Sequence, residues 1–356
     1  MISEVLSRVE LARQGCRDVY YEWEEECAKY FGVPIRKVII DSRPTSQNDA
    51  AAKSLIRFVK DNARKLLPSL YSCLYRIRWA YSSPPLTQDI KANLSICFVM
   101  FVSEMSVCEG SNGILIFLDA WDNFHFWDII RRTKNFKLFY VTSRDVYNRI
   151  KAKAPSSNVR YMPLSIADKY HSVNFTAYRD KYIDVVMPGR GNPVLHEYML
   201  KYESEHSNIK YLCKRGNRVY TSRDGSISIN ADDREGYMNM LAASRVSIVG
   251  CSGIDNARPD TNGICFVTPR FYESAIMGCA LIGRYPDNEE FTELNMRKYC
   301  PNITSYEQFC ECLEHALAQT PEELYAQNHD FIINSLTSKR AEQIRHDLEA
   351  LTCTNS

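Results

Sequence analysis

The chain has 356 residues, 45% of them apolar and 24% charged, with a formal net charge of +1. Those values fit a soluble globular protein of about two domains and supply no overall field toward nucleic acid or an anionic membrane, so no nucleic-acid partner is expected. No apolar run approaches the ~18 residues that cross a bilayer, and the charged start MISEVLSRVELARQGCRD lacks a signal-peptide apolar region, so the expected location is cytoplasmic.

In chain order, residues 1–32 read as helix: Val5, Leu6, Val9, Leu11 and Ala12, then Tyr20, Trp23, Cys27 and Tyr30, recur at helical spacing up to Gly32. Within that stretch EWEEECAK (22–29) reads as a solvated acidic face. RKVIID (36–41) is a candidate short strand. Residues 48–81 read as a long helix broken or kinked at Pro68, and SSPPL (82–86) as a loop. Short apolar runs follow: ICFVMFV (96–102), ILIFLDA (114–120), KLFYVTS (137–143) and VRYMPLS (159–165), the later ones separated by helix-like segments. IADKYHSVNFTAYRDKYID (166–184) is polar and reads as a linker. A second alternating set begins with a strand at 184–189, a helix from Pro193, strands at 209–215 and 218–222, and a helix over REGYMNMLAASR. It continues with strands at 246–252 and 263–268, a helix from Phe271, a strand at 280–285, the helix SYEQFCECLEHALAQ and a last helix from Asp330 to Leu351.

Apolar runs alternating with helices imply parallel sheets covered on both faces. The fold class expected is therefore α/β with two Rossmann-like domains: residues 1–165 with a helical N-terminal extension, a linker at 166–183, a second domain at 184–330 and a C-terminal helix over 331–356. Such architectures bind ligands in the cleft at the carboxyl ends of strands.

Thirteen cysteines, an odd number, are scattered and often sit in apolar runs (Cys97, Cys265, Cys279), as buried thiols in a reducing compartment would. Cys310-Glu311-Cys312 lacks the two-residue gap of a zinc or redox motif, and no histidine cluster accompanies it, so no metal site is expected there.

The chemistry concentrates in VTPRFYESAIMGCALIGRYPDNEEF (267–291). Thr268 to Glu273 reads as a strand-to-helix junction, whose unpaired N–H groups and positive dipole end suit a phosphate. Arg270 adds a cation with bidentate geometry, and Glu273, one turn in, can accept from a ribose diol. Gly278 lets the chain turn back into the sheet. The plain alternative is a first-turn acid that stabilises its own helix, with Arg270 as its ion-pair partner.

The pattern T-P-R-F-Y-E-S-A-x-x-G-C-A-L-I-G (268–283) resembles the C-terminal signature of GT-B glycosyltransferases, most closely the spore-maturation-protein-like group and more loosely exostosin-like and group 1 enzymes. VVMPGRGNP, VSIVGCSGID and PDNEEF resemble the same family's donor domain, so the likeness runs from about 182 to 318. It implies that Glu273 holds the ribose of a sugar nucleotide. It also implies that Gly189, Arg190 (with Gly191), Ser252, Thr268 and Arg270 line the diphosphate or donor. Arg190 equally suits a solvated turn. Cys265 stands where many group 1 enzymes carry a second glutamate, which favours the spore-maturation-like branch.

In the N-terminal half, Asp119 follows a strand and is the candidate acceptor base, with Asp122 and His125 behind it; capping the next helix is its other use. Trp121, Phe124, Phe126 and Trp127 suit either core packing or stacking on sugar rings. RVYTSRDGS (218–226) occupies the place that reads the nucleobase in related enzymes, with UDP the preferred guess. Asp232-Asp233 reads as a helix cap. No cofactor and no essential metal are expected, since Arg and a helix dipole can neutralise a leaving diphosphate. The resemblance thus implies a glycosyltransferase, a hexosyl- or related transferase. It would move a sugar from a nucleotide-sugar donor to a saccharide or glycolipid acceptor, with surface polysaccharide biosynthesis a candidate setting. A sugar-nucleotide epimerase or hydrolase, or a non-catalytic nucleotide-sugar-binding protein, is the alternative on the same frame. IIRRTKNFK has a basic end without a strong apolar face, which leaves peripheral membrane association open.

Overall fold

The computed structural model describes residues 1–7, 18–38, 93–100, 105, 110–118, 120, 126–171, 181–216, 218–251, 253–255, 261 and 263–353. The helix expected over 48–81 and the loop at 82–86 lie outside them. Two six-stranded sheets organise the rest, as the alternating apolar runs imply.

The first sheet holds β1 (Glu4–Ser7), β2 (Ile35–Lys37), β3 (Ser95–Val99), β4 (Gly110–Phe117), β5 (Phe136–Val141) and β6 (Val159–Tyr161). Its order is β2-β1-β3-β4-β5-β6, with every pair parallel. Helix α1 (Asp18–Phe31) follows β1, while α2 (Phe126–Arg132) and α3 (Arg144–Lys153) flank β5. The reading of residues 1–32 as helix is corrected at Glu4–Ser7, which is a strand; Asp18–Phe31 is helical, and 8–17 lie outside the described residues. The physical reason is that β1 sits between two neighbours and all four of its residues are buried, so it shows no alternation that would distinguish it from helix. Its buried Glu4 accepts from Ser95 Oγ at 3.0 Å. EWEEECAK is corrected too. Only Glu25 of its four glutamates is exposed; Glu22, Glu24 and Glu26 are buried. Glu24 accepts from Ser7 Oγ, which is how the β1–α1 pair satisfies a buried charge.

The second sheet holds β7 (Ile183–Met187), β8 (Tyr211–Lys214), β9 (Val219–Thr221), β10 (Ser228–Asn230), β11 (Ser244–Gly250) and β12 (Ala280–Arg284), in the order β10-β9-β8-β7-β11-β12. β8, β7, β11 and β12 are parallel; β9 and β10 form an antiparallel edge. The chain leaves β7 toward β8 through α4 (Pro193–Glu205), and returns to the other side of β7 at β11 through α5 (Arg234–Ala242). The switch point of this sheet is therefore the crevice beyond the carboxyl ends of β7 and β11.

The expected strand over 263–268 is absent, although Ile264 to Val267 are buried. Side chains, not a neighbouring strand, take up part of this backbone. Val267 N–H donates to Glu290 Oε1 at 2.8 Å, and the Cys265 carbonyl accepts from Asn288 Nδ2 at 2.9 Å. The segment leads straight into α6 (Pro269–Ile276), which Gly278 closes at a φ of +73°, in the left-handed region, before β12.

After β12 come α7 (Glu289–Glu293), α8 (Met296–Tyr299), α9 (Tyr306–Ala318), α10 (Pro321–Asn334) and α11 (Thr337–Cys353). The last helix expected from Asp330 to Leu351 is two helices. The break at Ser335–Leu336 lets this backbone pair with Ile166: Ile166 N–H donates to the Ser335 carbonyl, and Thr337 N–H to the Ile166 carbonyl, both at 2.9 Å. Helix α11 then returns to the first half. Arg340 donates to the Pro163 and Leu164 carbonyls, and Asp347 accepts from Tyr140 Oη at 2.7 Å.

The halves also meet at α7. Arg144, first residue of α3, gives its N–H to Glu290 Oε2 at 2.9 Å and its guanidinium to Glu293. Glu290 is thus a buried carboxyl bridging the start of α3 and the segment leading into α6. Burial, aided by Asp145, pushes it from the ordinary 4.5 up to about 8, against the two N–H donors and Arg144. A carboxyl whose pKa is raised on folding contributes stability that is whole below 4.5 and is lost as pH rises through about 8. Thermal midpoints should therefore fall from roughly pH 4.5 to 8, and Glu290→Gln should flatten that slope, whatever its cost in absolute stability. Equal slopes in the two proteins would contradict this.

No helix among the described residues is long and apolar enough to cross a membrane.

Candidate functional site

At the switch point lies a cavity of about 330 Å³. Its wall draws Gly189 and Arg190 from the turn after β7, Lys214 from the end of β8 and Arg218 and Tyr220 from around β9. Asp232 to Arg234 and Tyr237 come from the start of α5, and Pro269, Arg270 and Glu273 from the first turn of α6. Val19 of α1 reaches it from the first half. Five basic side chains face three acidic ones there, and all three acids have partners, Asp232 accepting from Asn230 Nδ2 at 2.7 Å. Asp233 caps α5, accepting from Gly236 N–H at 2.7 Å, and Glu273 pairs with Arg234. The remaining balance favours an anion.

The start of α6 has Pro269 in its first turn and no side-chain cap, because Thr268 Oγ1 points to the Gly250 carbonyl at 3.5 Å. Its positive end is left to the cavity and to Arg270. Among the described residues Arg270 makes no ion pair, and neither does the exposed Arg190. Arg270 is held by packing. Gly189 has a φ of +69°, and a Cβ there would lie 2.4 Å from Arg270 Nε, so only glycine lets the guanidinium rest on that turn. Gly189 N–H also donates to Tyr220 Oη at 2.7 Å, tying the β7 turn to β9.

Gly189→Ala should therefore cost its backbone strain of about 1–2 kcal/mol and push the guanidinium of Arg270, the far end of a flexible side chain, off the turn. Gly225 is the control: its φ is +73° but nothing lies within 4 Å of its missing Cβ. The expected result in denaturant unfolding is a similar loss for Gly189→Ala and Gly225→Ala; a much larger loss for Gly189→Ala would mean that Arg270 cannot move aside.

Glu273 is only 3% exposed, yet its carboxylate faces the cavity. Oε1 accepts from Arg234 Nη1 at 2.5 Å and Oε2 from Tyr237 Oη at 3.1 Å. A carboxylate oxygen has two acceptor positions, so each oxygen keeps one for a further donor. The result is a fixed acceptor pair suited to two adjacent hydroxyls. Burial works against the charge on Arg234, but Glu273 and Glu22 outweigh it and hold this guanidinium firmly protonated.

Of the residues singled out from sequence, Gly189, Arg190, Arg270 and Glu273 converge on this cavity. Thr268 does not line it; it holds the N-cap position of α6 but makes no side-chain cap bond. Asp119 and Ser252 lie outside the described residues, as do Asp122, His125, Trp121 and Phe124. Phe126 is core, whereas Trp127 is exposed with Lys153 Nζ 5.0 Å from its ring. Cys265 is buried with its thiol against that of Cys251. Arg218 and Tyr220 belong to the stretch placed at the nucleobase, whereas Lys214, Arg234 and Tyr237 are not singled out by the sequence; the Arg234 and Tyr237 pair, three apart at a helix start, is the local signal they carry. No group of three or more His, Cys, Asp or Glu side chains among the described residues is arranged to hold a metal ion.

No family model matches the chain, and no curated protein sequence does either, so the spore-maturation-like resemblance has no counterpart there. Solved structures do align. The S. aureus MnaA–UDP co-structure is similar over 99% of this chain and 97% of its own, at 10% identity and a TM-score of 0.45. A T4 phage BGT mutant in complex with UDP-glucose aligns over 98% and 99%, at 10% identity and a TM-score of 0.42. The pneumococcal O-GlcNAc transferase GtfA in complex with UDP and GlcNAc aligns over 72% of this chain at 11% identity and a TM-score of 0.43. This chain spans only 57% of GtfA. Likeness at these levels carries no chemistry from those proteins to this one.

Proposed function

We propose that this chain is a glycosyltransferase that takes a nucleotide-sugar donor in the cavity at the start of α6. The observation that carries the reading is Glu273: a buried carboxylate with one open acceptor position on each oxygen, beside Arg270, which pairs with no acid of the described residues, and a helix start without a side-chain cap. A vicinal diol next to a diphosphate matches that grouping. The ribose would bond Glu273, and the diphosphate would meet Arg270, Arg190 and the α6 dipole. Lys214, Arg218 and Tyr220 border the remaining wall, where the base would stack or be read by backbone.

In the reaction the sugar C1–oxygen bond to the diphosphate breaks and a bond from C1 to an acceptor hydroxyl oxygen forms. The diphosphate leaves with the bonding pair, and its growing charge is met by the guanidinium of Arg270 and the helix start. We assign the acceptor proton to Asp119, and the acceptor class to saccharides or glycolipids. UDP is the first nucleotide to test.

A thermal-shift panel of UDP, GDP, ADP and their sugar conjugates tests the reading. A ligand at about 100 times its Kd adds ~2.7 kcal/mol to the folded state. One nucleotide family should raise the midpoint, and the nucleoside without phosphate should not. No shift with any nucleotide would remove the proposal.

A further inference from the structure

The buried acid of α1, Glu22, belongs to the first half of the chain, yet it ends within one guanidinium of the cavity in the second. Arg234 Nε donates to Glu22 Oε2 at 3.1 Å, and Nη2 lies 3.1 Å from the same oxygen without a hydrogen bond to it. The two-nitrogen edge of Arg234 is thus turned to Glu22, and Nη1 alone reaches Glu273. Glu22 itself is fixed from the segment between the sheets: Tyr170 Oη donates to its Oε1, and Lys169 Nζ lies 2.9 Å from that oxygen. The side chains of Glu22 and Glu273 are 5% and 4% exposed, and that of Arg234 is 14%.

A guanidinium presents its paired N–H groups to a carboxylate wherever it can, because two parallel hydrogen bonds are stronger than one. With Glu22 occupying that edge, Arg234 meets Glu273 end-on and leaves both of its oxygens an open position. With Glu22 neutral, Arg234 is free to turn its edge to Glu273 and cover Oε1 and Oε2 together. We propose that Glu22 is a positioning residue that keeps Glu273 open to a vicinal diol, so that the first half of the chain sets the ribose affinity of the second. This rests on the reading of Glu273 as the ribose ligand. Coupling of this kind is reciprocal, so a diol on Glu273 also strengthens the Glu22–Arg234 joint between the halves.

The test is a calorimetric titration of the full chain with UDP and with 2′,3′-dideoxy-UDP, which keeps base and diphosphate but lacks the diol. Wild type should prefer UDP. Glu22→Gln, which keeps the shape of the side chain, should lose about tenfold for UDP, the scale of one hydrogen bond to a charged group, and under about twofold for the dideoxy form. Glu22→Asp keeps the charge but draws the carboxylate back from the Arg234 edge, and should show the same selective loss; it carries the test if Glu22→Gln does not fold. Equal losses for both nucleotides, or none, in a folded variant would overturn the positioning role and leave Glu22 a structural ion pair. A wild type that does not distinguish the two nucleotides would overturn the ribose assignment of Glu273, and the coupling with it.

Discussion

Arg270→Ala is expected to lower the affinity for UDP by about 10- to 100-fold while changing that for uridine by less than about twofold. The span follows from removing one or two hydrogen bonds between a cation and a phosphate, each worth ~1.5–3 kcal/mol. The selectivity follows from geometry. Arg270 lies over the glycine turn after β7, at the helix end where phosphate oxygens would gather, and pairs with no carboxylate of the described residues. Its loss therefore removes a ligand contact without stranding a partner in the protein. Arg270→Lys should recover only part of the affinity, since a point charge does not replace the paired N–H geometry. Titration of UDP and uridine into the wild type and both variants decides the matter. An equal loss for uridine would mean that Arg270 holds the cavity together instead of meeting phosphate.

The second large effect is expected from Glu273→Gln. An amide keeps the volume but loses the charge and replaces one acceptor oxygen with a donor. Two consequences separate cleanly. UDP affinity should fall by at least about tenfold, because the diol loses bonds to a carboxylate. Stability should fall as well, because Arg234 is buried between two acids and now has one; breaking a buried pair typically costs ~3–5 kcal/mol, and the remaining Glu22 should limit the loss to the lower end. Denaturant unfolding and calorimetry on the same sample measure both. Unchanged UDP affinity alongside lost stability would make Glu273 a structural acid only, which is the plain alternative for an acid in a first helical turn.

Much of the layout was legible because parallel strands covered on both faces read as short apolar runs between turns. β3, β4, β5, β7, β11 and β12 each fall within or close to such a run. The misreadings have a common physical origin: local sequence does not show where a backbone finds its partners. Ile264 to Val267 is as apolar as a strand, but Glu290 takes up the Val267 N–H and Asn288 the Cys265 carbonyl in place of a ladder. β1 is short and buried on both faces, and the helical spacing that continues past it absorbs it. The helix break at Ser335 exists because Ile166, far away in sequence, binds there.

The site divides in the same way. Arg270 and Glu273 share a first helical turn, so their chemistry is local and visible. Gly189 was visible as a glycine after a strand, but its fit under Arg270 was not. The acidic run at 22–29 read as solvated because nothing local names Arg234, Lys169 and Tyr170 as the partners of Glu22. Contacts across 148 positions, as to Tyr170, or 212, as to Arg234, leave no periodic trace in either segment.

The central claim is that Glu273 receives a ribose diol while the start of α6 receives the diphosphate. Crystals of the chain grown with UDP test it most directly. The account predicts both ribose hydroxyls within hydrogen-bonding distance of Glu273 Oε1 and Oε2, and phosphate oxygens on Arg270 and the first turn of α6. Nucleotide bound elsewhere with this cavity empty, or a ribose turned away from Glu273, would contradict it.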